Sequence, residues 1–175
     1  MAIDPAREFR AVNIAVLTVS DTRTPETDTS GDILAERVKG AGHKLVARAI
    51  EQDDASLLAD RLNTWIDDPT IDVIVTTGGT GLTGRDVTPE AFDQVKDKDI
   101  PGFGELFRMI SYRSIGTSTV QSRACAVVAR GTYLFALPGS NGAVKDGWDG
   151  ILVEQLDSRN RPCNFVDLLP RLRET

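Results

Sequence analysis

Continuous apolar runs and amphipathic stretches take turns along the first half of the chain. Val12–Ser20 is β-rich and nearly all apolar, the pattern of a strand buried on both faces of a parallel sheet. A loop rich in Asp, Thr and Pro follows from Asp21 to Thr29. From Ser30 to about Ala41, the residues Ile33, Leu34, Val38 and Ala41 share one helical face, and Gly42 stops the helix. Lys44–Ile50 alternates as a second strand. Leu58, Leu62, Trp65 and Ile66 predict a helix over Ala55–Ile66, and Asp72–Thr76 is a third buried strand. Strand, helix, strand, helix, strand, with crossovers of this length, predicts parallel pairing.

Beyond a glycine-rich loop, Pro89–Val95 and Gly104–Tyr112 read as helices. Ala124–Val128 and Thr132–Leu137 read as strands meeting at Arg130-Gly131, a hairpin that adds an antiparallel edge. Ser140–Leu156 predicts a long helix interrupted in composition by Gly142, Gly147 and Gly150. Asp157–Thr175, with Arg159, Arg161, Pro162 and Pro170, is expected to run extended along the surface. The expected fold is α/β: a three-layer, mostly parallel sheet with helices on both faces and an antiparallel edge hairpin. It forms one domain over 1–175 with its core at about 12–156.

Composition narrows the function classes. At 175 residues the chain can bury a real core, and its net charge of −6 argues against a nucleic-acid partner. No apolar run approaches the roughly 18 to 20 residues that cross a bilayer, so no membrane partner is expected. The start, Met1-Ala2-Ile3-Asp4-Pro5, lacks the regions of a signal peptide, which makes a cytoplasmic location the expectation. Cys125 and Cys163 form no CxxC pair and read as thiols of a reducing compartment. His43, the one histidine, sits in a helix-to-strand turn, so a histidine-based nucleophile triad is not expected.

Three loops leave the carboxyl ends of predicted strands, where open α/β sheets bind ligands: Ser20–Ser30, Glu51–Asp54 and Thr77–Asp86. The last has four glycines and four threonines between Thr76 and Asp86. Glycine lets a backbone come close to a ligand, and successive N–H groups there make an anion-binding concavity. The loop lacks the lysine of a P-loop and fails the GxGxxG spacing. Asp86 ends it, and Asp53-Asp54 follows the second strand on the same sheet edge. Two carboxylates beside a phosphate-binding loop suit Mg²⁺. Asp53 and Asp54 also suit the start of a helix, as do Thr88 as N-cap and Pro89 at the first helical position. Ser30 and Ser140 open two further helices toward the same edge, either as caps or as ligand contacts.

An ordered set of short motifs resembles the MoaB/MogA family of molybdenum cofactor biosynthesis. These are Thr77-Gly78-Gly79-Thr80-Gly81, Asp86-Val87-Thr88-Pro89-Glu90, Pro101-Gly102-Phe103-Gly104-Glu105, Ser122-Arg123-Ala124 and Leu137-Pro138-Gly139-Ser140. The resemblance spans about Val12 to Phe165, and Arg161-Pro162-Cys163-Asn164-Phe165 is closer to the MoaB branch. It implies trimers or hexamers, with possible contacts to other proteins of the same biosynthesis. It also implies adenylylation of molybdopterin by Mg-ATP, with ATP and molybdopterin as substrates and Mg²⁺ on catalytic Asp53 and Asp86. Gln52 stands where the family often has proline, which leaves Asp53 and Asp54 as alternatives. Ser20 and Asp21 resemble the family's ligand-contacting pair after the first strand. Glu105 belongs to the pterin side or caps a helix. Arg123 contacts phosphate or joins a surface ion pair. A non-catalytic molybdopterin carrier and an assembly module are the alternatives to the enzyme.

Overall fold

The computed structural model describes residues 3–174. Its six strands are β1 (Asn13–Val19), β2 (Lys44–Glu51), β3 (Val73–Thr77), β4 (Lys98–Asp99), β5 (Cys125–Ala129) and β6 (Thr132–Leu137). They form one sheet in the order β2-β1-β3-β6-β5-β4. β2, β1, β3 and β6 run parallel, whereas β5 is antiparallel to β6 and β4 is antiparallel to β5. The α/β class, the parallel core and the antiparallel hairpin at Arg130-Gly131 are all present. β4 is too short at two residues to leave a periodic signal.

Alternation along the strands sorts the core into two layers. Ile14, Val16, Val73, Val75, Tyr133 and Phe135 face one side. There they pack on α1 (Thr29–Gly40), α4 (Pro101–Ile115) and α5 (Asn141–Gly147) through Leu34, Phe103, Phe107 and Val144. Ala15, Leu17, Ile74 and Leu134 face the other side. There they pack on α2 (Ala55–Ile66) and α3 (Thr88–Val95) through Leu58, Leu62, Trp65 and Phe92. These strands are apolar on both faces because both faces are covered.

The long helix expected from Ser140 is present, with a π-helical turn at Trp148–Leu152 between α5 and α6 (Val153–Gln155), while two other expectations are corrected. Ser140 does cap it, accepting from Ala143 N at 3.2 Å. α1 is capped not by Ser30 but by Asp28, whose Oδ1 accepts from Gly31 N at 2.9 Å. The tail is not simply extended. It folds into α7 (Phe165–Leu168) and a 3-10 turn at Leu169–Arg171, and Asp157, Ser158, Asn160, Asn164 and Val166 are buried. Phe165 explains the docking: its ring lies 4.8 Å from Tyr133 and 5.4 Å from Phe135, closing the core over the sheet.

The topology fixes where a ligand site can lie. The chain steps from β1 outward to β2, then returns to place β3 on the other side of β1. Loops after β1 and β3 therefore diverge at their carboxyl ends, leaving the crevice typical of such sheets.

Candidate functional site at the β1–β3 crevice

The glycine loop leaves β3 at Thr77 and turns at once. Gly78 and Gly79 have φ of 108° and 63°, a region that side chains disfavour. A Cβ on Gly79 would overlap Thr88 Oγ1 and come within 3.4 Å of Asp53 Oδ1, so backbone and acid approach each other only because the residue is glycine. Thr88 clamps the turn. Its hydroxyl donates to Gly78 O at 2.9 Å and its N–H to Gly79 O at 2.9 Å. Thr88 is thus not the N-cap: Val87 holds that position without a side-chain bond, and Thr88 opens α3 ahead of Pro89. Gly78 N donates to Leu137 O at 2.9 Å, and Thr77 Oγ1 donates to Pro138 O at 3.2 Å. Those bonds bring the Pro138-Gly139-Ser140 turn against the glycine loop, with a Cβ on Gly139 only 3.3 Å from Gly78 Cα.

The two adjacent aspartates after β2 separate by role. Asp54 is the N-cap of α2, accepting from Ser56 N at 2.9 Å and Leu57 N at 3.0 Å. Asp53 turns toward the crevice and locks to Asp21 by reciprocal bonds. Asp21 N donates to Asp53 Oδ2 at 3.0 Å, and Asp53 N donates to Asp21 Oδ1 at 3.2 Å. Burial, then the charge of Asp86, push the Asp53 carboxyl above its ordinary value. Asp86 sits in the opposite environment. Burial would raise it too, but it accepts from Thr83 Oγ1 at 2.7 Å and Thr83 N at 2.9 Å. Those bonds, the Gly81 N–H and the Arg123 charge outweigh burial and hold it below the usual range.

Arg123 is a strap for the loop. Nε donates to Gly81 O at 2.7 Å, Nη2 donates to Asp86 O at 2.6 Å, and the guanidinium pairs with Glu90. Its N–H donates to Thr80 O at 2.9 Å. Of the two roles left open for Arg123, the ion-pair role is the one seen, and most of its donors are spent on the loop's own carbonyls. The sequence also hides Arg85, the one cation between Thr76 and Asp86, which pairs with Asp21 across the mouth of the crevice. Its solitary positive charge in a glycine-rich anion loop was the available signal.

The remaining expected residues are dispersed. Thr80, Gly81, Pro138 and Ser140 converge with Phe107 and Ser122 around a cavity of 200 Å³. Ser20 and Asp21 line a larger, open groove of 720 Å³ with Arg23, Ile50 and Gln52 along β2. The bigger space is not the one at the glycine loop, yet the Asp21–Asp53 lock joins the two. Ser30 is 2% exposed, with its hydroxyl 3.4 Å from Asp28 Oδ1. Glu105 lies beside another cavity of 370 Å³ with Asp99, Arg108 and Cys125, and Ile100 at the start of α4 has no side-chain cap, so Glu105 is not one. His43 is buried, with Nδ1 accepting from Val12 N at 3.3 Å, and burial depresses its basicity. Burial likewise pushes the Cys125 thiol up to about 11, which leaves it unreactive at neutral pH.

A cation fits the acidic pair better than an all-protein metal cage. Among the described residues no three His, Cys, Asp or Glu side chains cluster as ligands. Asp53 is nevertheless a half-buried carboxylate under repulsion from Asp86. Two interacting carboxylates suit a Mg²⁺ ion that keeps water and takes phosphate ligands.

Fold and crevice together define an α/β domain with a glycine loop and an acidic pair at the switch point of its sheet. More particularly, the chain belongs to the molybdenum cofactor biosynthesis family whose model is described as a probable molybdopterin binding domain, matched over residues 15–158. It falls in the MoaB branch. It is 47% identical over 158 residues to molybdenum cofactor biosynthesis protein B of Escherichia coli (strain K12), covering 90% of this chain and 93% of that protein. The corresponding protein of Bacillus subtilis (strain 168) is 42% identical over 146 residues, 83% of this chain and 86% of that one. Among solved structures, a molybdenum cofactor biosynthesis protein B superposes with a TM-score of 0.86 at 38% identity, covering 97% of this chain and all of that one. The tungsten cofactor synthesizing protein MoaB from Pyrococcus furiosus superposes at 0.77 with 35% identity, over 94% and 99% of the two chains.

Proposed function

We propose that the chain transfers AMP from ATP to the terminal phosphate of molybdopterin and releases pyrophosphate. The observation that carries this reading is the pairing of Asp53 and Asp86, held in opposite environments against one glycine loop. A phosphate monoester oxygen attacks the α-phosphorus of ATP. The bond from that phosphorus to the oxygen bridging to the β-phosphorus breaks, and the electron pair leaves with pyrophosphate. The nucleophile is already an anion near neutral pH, so no side-chain base or nucleophile is needed. That suits a crevice without histidine or an activated thiol.

The protein's part is positioning and electrostatics. Gly78 N and the Gly81 N–H are spent on Leu137 O and Asp86, so the N–H groups of Gly79 and Thr80 are the ones that bind phosphate. Asp53 and Asp86 would hold Mg²⁺, which when bound screens the repulsion between the two anions. The cavity under Thr80, Pro138 and Ser140 is the pterin side, and the groove along Ser20 and Asp21 takes the nucleotide. The matched molybdopterin binding domain supports the pterin substrate, while ATP and assembly as a homotrimer or homohexamer are what the sequence resemblance implies.

One observation favours the non-catalytic carrier. The Asp86 carboxylate is already engaged by Thr83 and Gly81, as expected of an acid that shapes the loop. Incubation with Mg-ATP and molybdopterin separates the two. The enzyme yields pyrophosphate and an adenylylated pterin in equal amounts, while the carrier retains pterin and releases neither. Failure to bind pterin at all would remove both.

A further inference from the structure

The tip of the glycine loop carries a cation that the proposed reaction has not yet used. Arg85 follows Gly84, where a Cβ would meet nothing within 4 Å, and precedes Asp86, which Thr83 and Gly81 anchor. The tip is therefore open and its base is fixed. The Arg85 side chain is 69% exposed and reaches over the crevice to Asp21 Oδ2. Asp21 is the same residue that locks Asp53 through reciprocal backbone bonds. Arg85 thus reaches the Asp21–Asp53 pair from the chain position next to Asp86. The other arginine of the loop region, Arg123, is committed to Gly81 O, Asp86 O and Glu90.

A guanidinium has five donors in a planar fork that matches phosphate oxygens, and Asp21 occupies few of them. An exposed ion pair of this kind contributes little to stability, so exchanging its carboxylate partner for a phosphate costs little. Resting on the nucleotide reading above, we propose that Arg85 is a transferable phosphate clamp. It neutralises Asp21 in the free protein and moves to the polyphosphate when a nucleotide occupies the crevice. It thereby selects for the charge of the nucleotide's phosphate chain rather than for its base.

Calorimetric titration tests this with Mg-ATP and with adenosine as probes, on the wild type and on Arg85→Gln, Arg85→Lys and Asp21→Asn. The clamp requires that Arg85→Gln weaken Mg-ATP binding about tenfold or more, the size of a lost charged hydrogen bond, with adenosine unchanged. Arg85→Lys restores part of that loss, because it keeps the charge without the fork. Asp21→Asn tightens Mg-ATP binding by releasing Arg85, and the gain vanishes when combined with Arg85→Gln. Thermal unfolding of each variant shows that the fold is retained. If Arg85→Gln binds Mg-ATP as the wild type does, the clamp is wrong and the nucleotide reading stands. Equal losses for ATP and adenosine would also sink it, since that pattern marks general damage to the loop. A wild type that binds neither probe removes the nucleotide reading and the clamp with it.

Discussion

Asp53 and Asp86 are the same functional group under opposite constraints, and that difference makes them unequal targets for mutation. Asp86 accepts three hydrogen bonds within its own loop, so Asp86→Asn disturbs loop geometry as well as charge. Asp53 accepts one bond from Asp21 N, which an asparagine carbonyl can also accept. Asp53→Asn is therefore the cleaner removal of charge. Its expected outcome is a loss of roughly 10² to 10³ in the rate of pyrophosphate release, the scale of one transition-state electrostatic contact, with pterin affinity largely kept. Unchanged release would remove Asp53 from the metal assignment. The same substitution has a stability signature of opposite sign. The folded carboxyl is raised above its unfolded value near 3.9, so its charged form disfavours the folded state at neutral pH. Below that unfolded value both states are protonated and the penalty disappears. Asp53→Asn should raise the melting temperature at pH 7 and lose that advantage at about pH 3 to 4. A melting temperature lowered at pH 7 would show that the carboxylate is compensated in the folded protein.

At the scale of elements, the crevice depends on how β1, α1 and β2 are tied together. Asp28 is buried. It caps α1, accepts from Thr18 Oγ1 at 2.8 Å and pairs with Arg48 on β2 at 2.7 Å. Burial opposes its charge, but the Arg48, Thr18 and Gly31 bonds prevail and hold its carboxyl below the ordinary value. Removing the cap and one partner of that pair by Asp28→Ala should cost about 2 kcal/mol or more, read by denaturant unfolding. The contribution of Asp28 is full above the unfolded value near 3.9 and declines as pH falls toward its lower folded value. A variant as stable as the wild type at pH 7 would mean that the network is balanced by desolvation. Asp28 also shows where the sequence was legible and where it was not. The strands and helices around it follow from periodicity, since β1, β3 and the helices between them bury regular apolar faces. Its role as the cap does not, because Asp28, Thr29 and Ser30 are all good capping residues and only the direction of the chain leaving β1 chooses among them. Asp53 and Asp54 posed the same problem: adjacent identical residues, one turned to the helix and one to the crevice. The glycine loop was readable from composition, whereas Arg123 as its strap and Thr88 as its clamp depend on contacts between distant segments. The tail misled because Phe165 and Val166 are too few to show a period, although they suffice to dock it.

For the whole molecule, the covered sheet and the uncovered α4 surface pose the remaining question of assembly. Both sheet faces are buried within one chain, so the fold itself does not require a partner. The exposed side of α4 differs. Met109, Tyr112 and Ile115 are 56%, 58% and 55% exposed, Leu106 lies on the same helix, and Val120 in the turn beyond it is 79% exposed. Half of the large hydrophobic side chains exposed among the described residues fall between Leu106 and Val120. Contiguous apolar surface of that kind marks association rather than a solvated face. Ile115 also lines the cavity under Thr80 and Ser140, so a neighbouring subunit seated there would sit at the rim of the proposed pterin side. In a ring of three, the assembly implied by the sequence resemblance, each subunit would present this surface to a different surface of the next and the rotation would close. Light scattering at micromolar concentration should therefore give a mass that is a multiple of three times 19.0 kDa. Met109→Glu should shift the population toward smaller species with unchanged circular dichroism, because a carboxylate is costly in an apolar contact but harmless in water. A wild type that stays at 19.0 kDa would rule out the assembly. A trimer indifferent to Met109→Glu would place the contact elsewhere and leave the α4 surface without a partner.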